Sequence, residues 1–201
     1  EEATRAERLV AAHCHGKPGI VAALRAGCRT IGHGSYLDDE TASMMRDCGA
    51  VLVSTRYIVE RLIELGGELG VPRYGLDKAA ALAERHQRAM ELAIDKGVTM
   101  ALGTDIATTG ASTLTPWGNH ARELPLLVAA GMSPLAALEA ATANGPLTLG
   151  PQAPKSGQLV ADYHADIVCL DIDPLADIHK LTEQRHVTHV LKGGKLLKGV
   201  A

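Results

Sequence analysis

Phenylalanine is absent from this 201-residue chain, tryptophan occurs once and tyrosine four times. With 46% hydrophobic residues the chain is far too apolar to be disordered, so its core must be built from Ala, Leu, Val and Ile. Charge of one sign is also scarce: 20 Lys and Arg against 23 Asp and Glu leave a net charge of −3. No electrostatic field would recruit nucleic acid or an anionic membrane. Uncharged apolar runs of the ~18 residues that cross a bilayer are missing. The opening residues, EEATRAER, have the opposite character to a signal peptide. The chain reads as soluble, with a cytoplasmic setting expected. Cys14, Cys28, Cys48 and Cys169 form no C-x-x-C pair. That excludes a zinc knuckle and suits small buried hydrophobes in a reducing compartment.

Short apolar runs alternate with helical patterns as far as residue ~150, the signature of βα units and a parallel sheet. Strands are expected at Leu9-Val10-Ala11-Ala12, Arg29-Thr30-Ile31, Ala50-Val51-Leu52-Val53 and Val98 to Leu102. Between them a helix is expected from Gly19 to Ala26, and another after Asp38 at its N-cap with Asp39 and Glu40 in the first turn. Gly66, Gly67, Gly70 and Pro72 predict an irregular excursion after the third strand. The best periodicity runs from Asp77 to Lys96, with Ala79, Leu82, Ala83, His86, Met90, Ala93 and Ile94 on one stripe and Gly97 closing the end. Helices are also expected near His120–Ala130 and from Ser133, with Pro134 at the first helical position. Beyond Pro151, Pro154 and Gly157 the pattern becomes β: Asp166 to Leu170, Val187 to Leu191, and Lys195 to Leu197 across a Gly193-Gly194 turn. Residues 1–150 thus read as an α/β unit and residues 151–201 as a β appendage.

In such folds the site lies at the carboxyl ends of the strands. The first strand runs into His13, the second into His33 and the fourth into Gly103-Thr104-Asp105. Two imidazoles and a carboxylate from three strand ends make a donor set for zinc, manganese or iron. Taken singly, each histidine also reads as a hydrogen-bonded core or loop residue, and Asp105 as an Asx-turn or capping residue. Their shared position favours the site.

These residues carry a family resemblance. Val10-Ala11-Ala12-His13-Cys14-His15-Gly16, Ile31-Gly32-His33-Gly34, Leu102-Gly103-Thr104-Asp105, Gly118-Asn119 with Glu123-Leu124, and Ala165-Asp166-Ile167-Val168 with Leu170-Asp171-Ile172-Asp173-Pro174-Leu175 follow in order over nearly the whole chain. Together they resemble the metal-dependent amidohydrolase superfamily, in its imidazolonepropionase and Xaa-Pro dipeptidase or carboxypeptidase-like branch. The resemblance implies strands five to eight of a (β/α)8 TIM barrel plus part of a small β-sandwich. It implies that His13 and His33 bind metal, most simply zinc. It implies too that Asp105 contacts the metal and serves as general base and acid in hydrolysis of an amide bond, in a dipeptide or N-acyl amino acid. A small-molecule substrate, a homo-oligomer, and no nucleic-acid or membrane partner go with that reading. Two family features are missing: the His-x-His pair of strand one and the carboxylated Lys of strand four, which a second ion would need. Gly32 also stands where this branch more often has Glu.

Other residues are open to two readings. His15, two positions beyond His13, returns to the same face and would line the pocket or bind substrate, or else lie in an exposed loop. Arg56 and Tyr57 would hold a substrate carboxylate, or form a surface loop pair. His120 is expected to face the pocket. Cys14 invites a thiol-nucleophile reading, but strand alternation points it to the opposite face. A rival from another class is a non-catalytic assembly or binding subunit on the same fold. Four strand-helix units are half of what a closed barrel of ~250 residues contains. The other half is therefore expected in an N-terminal segment or a second chain.

Overall fold

A computed structural model describes residues 1–106 and 114–199. A four-residue helix, α1 (Glu2–Arg5), precedes the first strand. Strands β1 (Ala11–Cys14), β2 (Thr30–His33), β3 (Val51–Ser54) and β4 (Thr99–Leu102) then form one parallel sheet in the order β1-β2-β3-β4. Cys14 lies opposite His33, and Val53 opposite both Gly32 and Ala101, so the carboxyl ends come level along one rim. Parallel pairing needs long crossovers. They are supplied by α2 (Lys17–Arg25), α3 (Asp39–Asp47), α4 (Arg56–Leu65) and α5 (Arg73–Asp95). After β4 come α6 (Glu123–Ala129) and α7 (Pro134–Ala141).

Local signals account for much of this. The Asp38 carboxylate accepts from Thr41 N and the Thr41 hydroxyl accepts from Asp38 N, a capping box that starts α3. Ser133 Oγ accepts from Ala136 N with Pro134 at the first position of α7. Gly97, at φ 69°, closes α5 as expected.

Four expectations need correction. The first two strands start later and run further: His13 and Cys14 are ladder residues of β1, and His33 is the last residue of β2. Sheet pairing recruits polar residues that an apolar run leaves out. The region after β3 is no irregular excursion, since α4 begins two residues past the strand. Its first turn is capped by the distant Glu123 carboxylate, which no local pattern reveals. Helix α5 starts at Arg73, where Pro72 fixes the preceding turn and Arg73 pairs with Asp77 four residues on. The helix expected over His120–Ala130 opens as a 3-10 turn, His120–Arg122, before α6.

The core lies between the sheet and its helices. Ile20, Ile31, Met45, Leu52, Met90, Met100 and Leu127 are fully enclosed in it. Flexible Met45, Met90 and Met100 help fill a core that has no Phe. Past residue 150, β5 (Ile167–Leu170), β6 (Val187–Lys192) and β7 (Lys195–Lys198) form an antiparallel sheet. Gly193 and Gly194 turn between β6 and β7 with φ 55° and 79°, the left-handed pair of a type I′ hairpin. The segment joining β5 to β6 sends Ile178 into the main core, with Leu181 packed against it. No helix among the described residues is long and apolar enough to cross a membrane.

Candidate metal centre

Alternation along β1 puts His13 and His15 on one side and Cys14 on the other. Cys14 packs against the apolar core, and burial raises its thiol pKa, with Cys28 adding to the shift. That favours the inert thiol over the nucleophilic thiolate. His33 arrives from the end of β2. Its Nε2 lies 2.8 Å from His13 Nδ1. The His15 ring stacks on His33 with centroids 4.4 Å apart, and meets His13 edge-on at 4.9 Å. One ligand nitrogen from each of the three lies within 4.8 Å of the others. The sequence leaves His15 to line the pocket, bind substrate or lie in an exposed loop; the structure brings it into the same cluster as His13 and His33.

Two of the three rings are oriented by enclosed hydroxyls. His15 Nδ1 contacts Ser35 Oγ at 2.9 Å, and His33 Nδ1 contacts Thr55 Oγ1 at 2.8 Å. A partner on Nδ1 fixes the ring, as around bound metals, and turns His33 Nε2 toward His13. Burial, then His15 and His13, hold the His33 pKa down at about 4, against the pull of Asp105. Burial and His13 likewise lower that of His15, again opposed by Asp105. Clustered neutral imidazoles are the protonation state that ligates a cation.

Asp105 follows β4 on the exposed rim, and its charge reaches both His15 and His33. It is not among the three converging donors. Four non-glycine described residues have positive φ, and two of them are His33 at 71° and Asp105 at 58°. Such conformations cost about 1–3 kcal/mol each and persist where the surroundings over-determine them.

The remaining candidates lie elsewhere. Arg56 and Tyr57 open α4 and are buried. The Arg56 guanidinium donates to Ala83 O and pairs with Glu60, while the Tyr57 hydroxyl is enclosed without a hydrogen-bond partner among the described residues. His120 sits edge-on to Trp117, centroids 4.7 Å apart, in the turn before α6. The Gly32 position has room: a Cβ there would meet only Ala12 O, at 3.7 Å.

Several supporting residues escape sequence reasoning. Ser35 and Thr55 are single hydroxyls with no motif around them. Glu123 is fully enclosed; its carboxylate accepts from Ser54 Oγ and from the backbone N of Arg56 and Tyr57, at 2.8 and 2.7 Å for the last two. It thereby fixes the turn that carries Thr55. His86, buried on the apolar stripe of α5, donates from Nε2 to the carbonyl oxygen of His33 at 3.1 Å. Burial and nearby Arg56 hold its pKa down at about 3.

Comparison with known proteins adds three findings. The amidohydrolase family model matches residues 1–197. The ochratoxinase of Aspergillus niger is 48% identical over 200 residues, which are 99% of this chain and 40% of that protein. Its crystal structure superposes with a TM-score of 0.87 over 100% of this chain and 44% of its own. A prolidase crystallised with N-methylphosphonate-L-proline is 30% identical, with a TM-score of 0.85 over 99% of this chain and 47% of its own. The chain thus spans about 40% of the length of the curated relatives it matches.

Proposed function

From the premise that the chain belongs to the amidohydrolase family, we propose that it carries part of the active site of a metal-dependent hydrolase that cleaves an amide bond in a dipeptide or N-acyl amino acid. The convergence of the His13, His15 and His33 nitrogens within 4.8 Å carries this reading. Similarity to a prolidase and an ochratoxinase supports the substrate class. The four parallel strands, open at β1 and β4, suit half of a (β/α)8 barrel, and the remaining strands would come from residues outside this chain.

His13 and His33 would hold a divalent ion, most simply zinc, with His15 beside them. When bound, such an ion lowers the pKa of a water toward ~7 and polarises the scissile carbonyl. The chain's own residues do the rest. Thr55 holds His33 with Nε2 facing the cluster, and Ser35 does the same for His15. Asp105 accepts the proton of the attacking water on its carboxylate and returns it to the leaving amine nitrogen. Its exposed place on the rim gives it access to both.

Metal content of the protein expressed from its complete reading frame tests the reading. About one equivalent or more of zinc or manganese, falling on His13→Ala, is expected. Less than ~0.2 equivalents, unchanged by that substitution, would leave the non-catalytic subunit as the better account.

A further inference from the structure

His33 ends β2 in a left-handed conformation, φ 71°, that a histidine adopts only when its surroundings impose it. Three contacts do so. Gly34 N donates to Cys14 O at 2.9 Å, the ring is held by Thr55, and the His33 carbonyl accepts from His86 Nε2. The first two are local to the strand ends. The third comes from the middle of α5, 53 residues away.

His86 is an expensive residue for that position. Its neighbours on the buried stripe, Ala79, Ala89, Met90 and Ala93, are apolar, and the imidazole is 1% exposed. A carbonyl only accepts, so Nε2 carries the proton and Nδ1 is left as a bare acceptor, which has no partner among the described residues. An apolar side chain would complete the stripe without that enclosed, unpaired nitrogen. Packing does not explain the histidine; the bond to His33 does.

We propose that His86 is a positioning residue for the metal centre: by holding the His33 carbonyl, it fixes the left-handed turn that aims His33 Nε2 at His13 and His15. This rests on the metal-binding reading above. Outer partners of metal ligands typically contribute ten- to a hundredfold in affinity, and the same scale is expected here.

The test is metal affinity, measured by chelator competition with zinc and by the visible spectrum of the cobalt form, on the protein expressed from its complete reading frame. His86→Leu, which fills the space and removes the donor, should weaken binding about ten- to a hundredfold and shift the cobalt bands. His86→Gln, whose amide NH2 reaches where Nε2 stood, should bind within about threefold of the wild type. Met90→Ala, buried on the same helix, should lower the thermal midpoint of the metal-free protein yet leave affinity and spectrum unchanged. Should His86→Leu not fold, His86→Asn replaces it: its amide ends too short to reach the carbonyl, so it should bind as weakly as expected for His86→Leu while His86→Gln recovers. Wild-type affinity in His86→Leu, equal affinity in His86→Asn and His86→Gln, or equal weakening in His86→Leu and Met90→Ala would each overturn the proposal. A wild-type protein that binds no metal would instead overturn the reading on which it rests.

Discussion

Glu123→Gln isolates one oxygen. One carboxylate oxygen accepts from Ser54 Oγ and Arg56 N, and the other from Tyr57 N. Glutamine keeps a carbonyl for the first pair and turns an NH2 toward the Tyr57 N–H, so a buried donor loses its acceptor, at about 1–3 kcal/mol. The penalty depends on pH, and its sign is decisive. Burial raises the Glu123 pKa from 4.5 to about 7, with Ser54, Tyr57 N, Arg56 N and the Arg56 charge opposing. A carboxyl with a raised pKa binds more protons folded than unfolded, so wild-type stability falls as pH rises from the unfolded value to the folded one and is flat above it. Between about pH 5.5 and about pH 8 the titration covers about 1.5 pH units below the folded pKa, or ~2 kcal/mol at 1.36 kcal/mol per unit. The glutamine variant does not titrate here. Its deficit should therefore be smaller at about pH 8 than at about pH 5.5, by about 2 kcal/mol. Urea unfolding followed by circular dichroism at both pH values measures it. A deficit that grows with pH would mean that the three donors and the start of α4 outweigh burial and keep Glu123 ionised.

Two further outcomes follow from the elements around the cluster. Asp38→Ala removes the cap of α3 and the partner of Lys17, and should cost about 1 kcal/mol near neutral pH by urea unfolding. Lys17 holds the Asp38 pKa down at about 2, so that contribution is whole above about pH 4 and is lost as pH falls toward 2; an equal deficit at about pH 7 and about pH 2 would refute it. Gly103→Ala would put a Cβ 2.6 Å from both Ser54 O and Val53 Cγ1, where β4 leaves β3 on the way to Asp105. The strand end must shift, so a loss of about 1–3 kcal/mol and a fall in kcat are expected, and a variant with wild-type melting and turnover would contradict the packing.

The chemistry of the cluster was legible because it is local. Apolar runs that lead into a histidine pointed to His13 and His33, whose rings lie together in the structure, whereas Asp105, read from a third such run, is not among the converging donors. Strand alternation also placed His15 on the side of His13 and turned Cys14 toward the core. Helix α4 was not legible: Thr55 forms no side-chain cap, and the acceptor for its first turn arrives from Glu123, 67 residues beyond Arg56. His86 was hidden for a different reason, since i, i+4 spacing with Leu82 and Met90 makes any residue there look like core. Both groups act on the same histidine from opposite ends. Glu123 fixes the turn that brings Thr55 to the His33 ring, while His86 holds the His33 carbonyl. If both supports serve one geometry, their effects on metal affinity should not add: once His86→Leu has released the His33 backbone, adding Glu123→Gln should weaken binding by less than it does alone. Fully additive losses in that double-mutant cycle would mean that ring and backbone are held independently.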